Sequence, residues 1–488
     1  MNNNSTMPNP ELTTKHPSGL PVLFFTEMWE RFSFYGMRAL LVLYLVNSLK
    51  YQRSDALSLY ATYTGLVYLT PILGGYLADR WLGLRRAILV GGVVMALGHF
   101  AMAFPALLHI GLGLLIVGNG FFKPNISTLV GSLYQQHDPR RDAGFTIFYM
   151  GINIGAFFGT LIAGLLAEKL GWHWGFGAAG VGMVIGLIVF IVGQTRLAQT
   201  GLLPNQQALT PRDAWIVMLV SLSAVTLVLL CSQAGVLVAP LWVSLSGLIK
   251  FSIGAILFIA VFSSLFRTTD NREENDRLKA ILVMAFFVIF FWMGFEQAGG
   301  TMSLFADKQT DRHWFGAEIP ASYFQALNPL FIFLLAPFFS VFWTRLDRSP
   351  YALSTPTKQA IGMIILGLGF VVLAVAQQRA DAGGPVNMTW LVVVFLLHTV
   401  GELCLSPIGL SMVTKLAPAK LAALMMGLWF GATALANYLA GMLESYLAGS
   451  GVPLYWFLVG SSVGAGIALL ALTPLLKKWM HGQDLEQG

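Results

Sequence analysis

Long apolar segments recur from about residue 20 to about residue 476, separated by short polar stretches. A helix of about 20 mostly apolar residues is long enough to cross a bilayer. Read that way, the chain holds about fourteen spans. The first six lie near 20–49, 55–79, 86–104, 108–134, 142–168 and 174–195. Two more fall near 213–231 and 239–266, and the last six near 280–306, 320–345, 358–378, 388–416, 420–447 and 453–476. Only 11% of the residues are charged and 56% are hydrophobic, whereas a soluble domain is about a quarter charged. The expected fold class is an all-α polytopic membrane protein.

The loop charges orient these spans. With the N-terminus in the cytoplasm, 19 of the 29 basic residues fall on the cytoplasmic side and 6 on the other, with 4 left inside spans. That is the bias of the positive-inside rule. It accounts for the net charge of +6 without a nucleic-acid partner. Both termini are then cytoplasmic, with a disordered tail over 1–19 and a second tail over 479–488. Met1 to Ser18 lacks the order of a cleaved signal peptide. Cys231 and Cys404, both in apolar segments, suggest neither a disulfide framework nor a metal site.

Charges within the spans are the second constraint, because they are costly in hydrocarbon and are kept facing a bundle interior or a watery path. They are Glu27, Glu30, Arg31, Arg38, Lys123, Lys250, Glu296 and Glu402. In the first span, positions 27, 30, 31, 34, 35 and 38 share one helical face. This face is ionic and aromatic and the rest is apolar. Two sets of six spans (20–198 and 280–478), joined by a linker over 199–279 that carries the extra pair, resemble the major facilitator architecture. In that architecture substrates bind between the halves near the midplane.

Three further stretches stand out. Gly74-Gly75-Tyr76-Leu77-Ala78-Asp79-Arg80, followed by Arg85 and Arg86, ends the second span. Its glycines allow close helix approach, and Asp79 is placed to cap the next helix or to pair with Arg85 or Arg86. It resembles the major facilitator loop motif, a gating element, as against a plain positive-inside loop. Lys123 is followed by Pro124, which frees a backbone carbonyl one turn back. Phe148-Tyr149-Met150-Gly151-Ile152-Asn153-Ile154-Gly155 offers a small-residue packing face through Gly151 and Gly155. Taken alone, Asn153 fits an inter-helix hydrogen bond as well as a substrate contact.

Together with Glu27-Met28-Trp29-Glu30-Arg31-Phe32-Ser33-Phe34-Tyr35-Gly36, these stretches resemble the proton-dependent oligopeptide transporter (POT) family. The resemblance continues through Phe295-Glu296-Gln297, Gln325-Ala326-Leu327-Asn328-Pro329 and Gly401-Glu402-Leu403-Cys404-Leu405-Ser406-Pro407. It spans nearly the whole chain and is of the bacterial type, which has an extra helix pair between the halves. Phe34 stands where that family usually has a tyrosine, and Ala156 replaces a common serine.

The resemblance implies a proton-coupled symporter in the bacterial inner membrane that imports di- and tripeptides by alternating access, as a monomer and without a cofactor other than the proton. Arg38 and Lys123 are the implied partners of the peptide carboxylate, and Glu402 that of its ammonium group. Asn153 and Asn328 would bond the peptide backbone and N-terminus, and Tyr35, Tyr68 and Trp429 would form walls. Glu296 would pair with Arg38 across the halves as a gate and border the binding site, with Asp79 and Arg85 as further gating residues. Proton coupling would fall to Glu27 or Glu30, with Arg31 and Lys123. An enzyme is not expected, because no nucleophile–base pair or metal-ligand spacing is found. Uptake of another small anion such as nitrate is the alternative on the same fold. His99 reads as scaffold, and His398 lies one turn before Glu402.

Overall fold

The computed structural model describes residues 15–135, 138, 140–202, 271–418 and 422–482. The expected extra pair, 213–231 and 239–266, lies outside these residues. Twelve long helices are present among the described residues. The first half comprises α1 (Leu20–Leu43), α2 (Arg53–Leu77), α3 (Leu84–Met102), α4 (Leu108–Gly131), α5 (Arg141–Lys169) and α6 (Trp172–Gly193). The second half comprises α7 (Arg272–Phe295), the short α8 (Thr301–Lys308), α9 (Leu327–Asp347), α10 (Thr355–Gly383), α11 (Thr389–Leu416), α12 (Ala422–Leu447) and α13 (Leu454–Met480).

Nine of the described helical stretches are long and apolar enough to cross a membrane. α1 is not among them, since every stretch of 18 residues in it contains Glu27, Glu30 and Arg31. Its burial inside the first half removes the conflict. Helix starts follow local chemistry. Asn271 accepts a hydrogen bond from the Glu274 amide at 2.8 Å, with Glu273 and Glu274 in the first turn of α7 where they meet the positive end of the helix dipole. Pro356 opens α10, where its missing N–H costs nothing.

Three positions require glycine for close approach. A Cβ on Gly155 would lie 2.1 Å from the Met28 carbonyl oxygen, and one on Gly159 would lie 2.2 Å from that of Phe32. α5 thus lies on the backbone of α1 without a side chain between them. The carbonyl of Gly120, freed by Pro124 one turn on, meets the bare Cα of Gly74 in the same way.

The expected seventh span, drawn as one helix over 280–306, is broken. α7 ends at Phe295, Glu296–Gly299 form a turn of 3₁₀ helix, and α8 resumes at Thr301. The expected first span likewise gives way to a π-helical turn over Tyr44–Ser48. Beyond α8, β1 (Thr310–Asp311) pairs in parallel with β4 (Val386–Asn387), and β2 (His313–Trp314) pairs with β3 (Ala317–Glu318) as a small hairpin.

The halves are joined at the end where α1 finishes and α2 begins. Asn47 Nδ2 donates to Asp307 Oδ2 at 2.9 Å, and Arg53 Nε to Glu444 Oε1 at 2.6 Å. Gly441 of α12 packs against Ala61 and the Leu57 carbonyl of α2. Toward the opposite end of the same helices, Tyr149 and Met150 of α5 and Phe430 of α12 are exposed.

Candidate functional site

On the buried face of α1, Arg31 lays its guanidinium fork across Glu30. Nη2 reaches Oε1 at 2.7 Å and Nε bonds Oε2. Arg31 Nε also stands 3.4 Å from Glu27 Oε1. Lys123, from α4, bonds that same Glu27 oxygen. Two carboxylates and two cations therefore close on one another. The other Glu27 oxygen, Oε2, is buried with no hydrogen-bond partner among the described residues. Asn119, one turn before Lys123, makes a long 3.5 Å contact to Arg31 through Oδ1 and donates Nδ2 to the Val67 carbonyl of α2 at 3.0 Å. It ties the cluster to a third helix.

Arg31 also lies over the Phe34 ring, 4.8 Å from its centroid. The aromatic face holds the cation here without a hydroxyl. Tyr35, the next residue, has both Arg31 and Arg38 over its ring, each at 5.9 Å.

Arg38 joins the halves. Its Nη2 pairs with Glu296 Oε2, and its Nε donates to the Tyr60 hydroxyl of α2 at 2.7 Å. Both members of the pair are buried. The 3₁₀ break in the seventh span makes this possible. A Cβ on Gly299 would lie 1.9 Å from the Tyr60 hydroxyl and 3.2 Å from Arg38 Nε.

The second half contributes Glu402 of α11 and Asn328 of α9. Asn328 Nδ2 donates to Glu402 Oε2 at 2.8 Å and to Thr399 Oγ1 at 3.1 Å. Among the described residues Glu402 has no ion pair, so its charge is not met by a protein cation. Trp429 of α12 is buried and stands against Gly409, where a Cβ would meet its ring at 2.5 Å.

The remaining expected residues are placed as follows. Asn153 donates to the Tyr149 carbonyl in its own helix at 3.0 Å, which leaves Oδ1 for another donor. Tyr68 is half-buried on α2. With the side chain of Asp79 outside the described residues, Arg85 is seen with other partners. It donates to the carbonyls of Thr200 at 2.7 Å and Ala198 at 2.5 Å, beyond the end of α6. Lys358, in the first turn of α10, is 1% exposed. It pairs with Asp347 at 2.8 Å and lies 4.9 Å from the centre of the Trp343 ring. His99 and His398 are both buried. Among the described residues no group of acidic, histidine or cysteine side chains is arranged to hold a metal.

Asn119, Tyr60 and Thr399 are members of the site not expected from the sequence motifs. Asn119 and Thr399 carried a signal in their helical spacing from Lys123 and Glu402. Tyr60 carried none.

A model of the POT family matches residues 85–452 of this chain. A peptide transporter of Yersinia enterocolitica is 39% identical over 456 residues, covering 88% of each chain. A di-/tripeptide transporter of Lactococcus lactis is 34% identical over 490 residues, covering 94% of this chain and 96% of that one. Among solved structures, the crystal structure of a peptide transporter POT in complex with sulfate aligns with a TM-score of 0.82 at 37% identity, covering 96% of each chain.

Proposed function

The chain belongs to the POT family of membrane transporters, and on that premise we propose that it imports di- and tripeptides with protons by alternating access. The proton is the coupling ion, and no other cofactor takes part. The protein works as a monomer in the inner membrane with both termini in the cytoplasm.

One observation carries this reading: the two cations suited to a peptide carboxylate are both held by protein carboxylates. Lys123 is held by Glu27 and Arg38 by Glu296, while among the described residues Glu402 is bonded only by a neutral amide. The ammonium pole is ready for substrate, and the carboxylate pole is not. A proton arriving at Glu27 finds Oε2 unpartnered. Protonation removes the charge that holds Lys123 and frees that ammonium for the peptide carboxylate. Glu30 keeps both oxygens in the Arg31 fork and serves to hold Arg31 in place. Arg38 is released when the Glu296 contact parts, and offers a bidentate site in its turn. Substrate spanning the two poles draws the halves together, so peptide and proton act on the same helix, α1.

The test is uptake of labelled dialanine into proteoliposomes under an inward proton gradient. Glu27→Gln is expected to lose accumulation against a gradient while keeping peptide exchange. Tri-, but not tetrapeptides or nitrate, compete in the unmodified protein. Accumulation retained by both Glu27→Gln and Glu30→Gln overturns the coupling assignment, and competition by nitrate alone overturns the substrate.

A further inference from the structure

We infer that Thr399 is a positioning residue that fixes which way the Asn328 carboxamide faces, and thereby sets the site's demand for a free ammonium group. The inference rests on the reading of Glu402 and Asn328 as the ammonium pole.

Donor counting carries it. Thr399 is fully buried on α11, three residues before Glu402 and on the same face. Its Oγ1 lies 2.7 Å from the Phe395 carbonyl oxygen. A hydroxyl has one proton, and a carbonyl oxygen can only accept, so the proton goes there. Towards Asn328 the hydroxyl then offers lone pairs alone. The Asn328 atom facing it at 3.1 Å must be a donor, and the same atom faces Glu402 Oε2 at 2.8 Å. This is the NH2 end, with both protons used.

Glu402 alone could not hold that orientation through a transport cycle. An ionised carboxylate demands the NH2 end, but a protonated one can donate to Oδ1 and turn the amide over. Thr399 demands the NH2 end whatever the charge on Glu402. Asn328 Oδ1 and Glu402 Oε1 are then left as acceptors. Neither makes a hydrogen bond within the described protein, and neither is a buried orphan. Two acceptors side by side, one of them charged, fit a primary ammonium with its three donors. An N-acylated peptide offers one neutral N–H and cannot satisfy both.

The experiment compares Thr399→Val and Thr399→Ser in proteoliposomes, reading KM and Vmax for dialanine and inhibition by N-acetyl-dialanine. Valine keeps the shape and removes the acceptor. It is expected to raise the dialanine KM about tenfold, the scale of one lost hydrogen bond with its orienting effect, with Vmax within about twofold. The preference for free over acetylated peptide should narrow by a similar factor. Serine should restore both to within about twofold of the parent. An unchanged KM and preference in the valine variant overturn the inference, as does a serine variant that behaves like valine. Glu402→Gln is run alongside. If it leaves the dialanine KM unchanged, the ammonium-pole reading itself falls. If it raises KM while Thr399→Val does not, only the role of Thr399 falls.

Discussion

Glu27 and Glu30 of the first half and Glu402 of the second half are all buried but kept in different ways. Glu27 and Glu30 are fully buried and answered by Arg31 and Lys123. Glu402 is nearly as buried, at 8% exposure, and is answered by Asn328, an uncharged donor held by Thr399. A buried charge without a counter-charge is expensive to keep. One that persists beside a substrate path is explained if the missing cation is the substrate. The first cluster balances itself and can change only by taking up or losing a proton or by trading partners. The second is completed from outside. Under the proposed function, the same physical demand, neutralisation, would make one region an internal switch and the other a receptor.

Breaking the self-balanced kind should cost most. Removing one partner from a buried ion pair costs about 3–5 kcal/mol. Arg38→Glu and Glu296→Arg should each open the α1–α2 end, read as a longer distance between spin labels at positions 50 and 308. The double reversal should partly restore the short distance. Two harmless single variants would end the gate assignment.

The receptor kind should respond less. Glu402→Gln keeps shape and hydrogen bonding and removes the charge, so it gives up the charged part of one hydrogen bond, about 1.5–3 kcal/mol. The expected result is a KM for dialanine raised about 10- to 100-fold, with the first-half variants' loss of proton-driven accumulation absent.

An ion pair in the loop between α4 and α5 sharpens the contrast by doing neither job. Asp138 bonds the side chain and backbone N–H of Arg140 at 2.7–3.0 Å, and these bonds hold its carboxyl down at about 2. A depressed carboxylate contributes while ionised and loses its contribution only as pH falls through that value. Between pH 5 and 8 it does not titrate. Asp138→Asn should therefore leave the pH profile of dialanine uptake superimposable on the parent's. A displaced profile would mean that the titrating group had been placed at the wrong end of α4.

Part of this was legible in the sequence because it is written in helical spacing. Glu27, Glu30, Arg31, Phe34, Tyr35 and Arg38 fall on one face by spacing alone, and the apolar runs placed the twelve long helices. The break at Glu296–Gly299 was not legible, because the residues packed beside it, Tyr60 and Arg38, are far away in the chain. Lys358 is a further case. A lysine near a span end looks the same in sequence whether it snorkels or turns inward, and only the approach of Asp347 and Trp343 decides. Phe34 was read as a lost hydroxyl. Its use as a platform for Arg31 depends on a side-chain angle that no pattern encodes.

The bare contact between α5 and α1 has a mechanical consequence. Side chains yield under load by changing rotamer, and a layer of them between two helices absorbs small displacements. At Gly155 and Gly159 that layer is missing, and carbonyl oxygens of α1 rest on the α5 backbone. A shift of a few tenths of an ångström in α1 passes to α5 undiminished, like a tooth in a gear and not a pad on a brake. The helix that carries Glu27 and the helix that carries Asn153 are then one stiff part, and whatever moves either of them moves both.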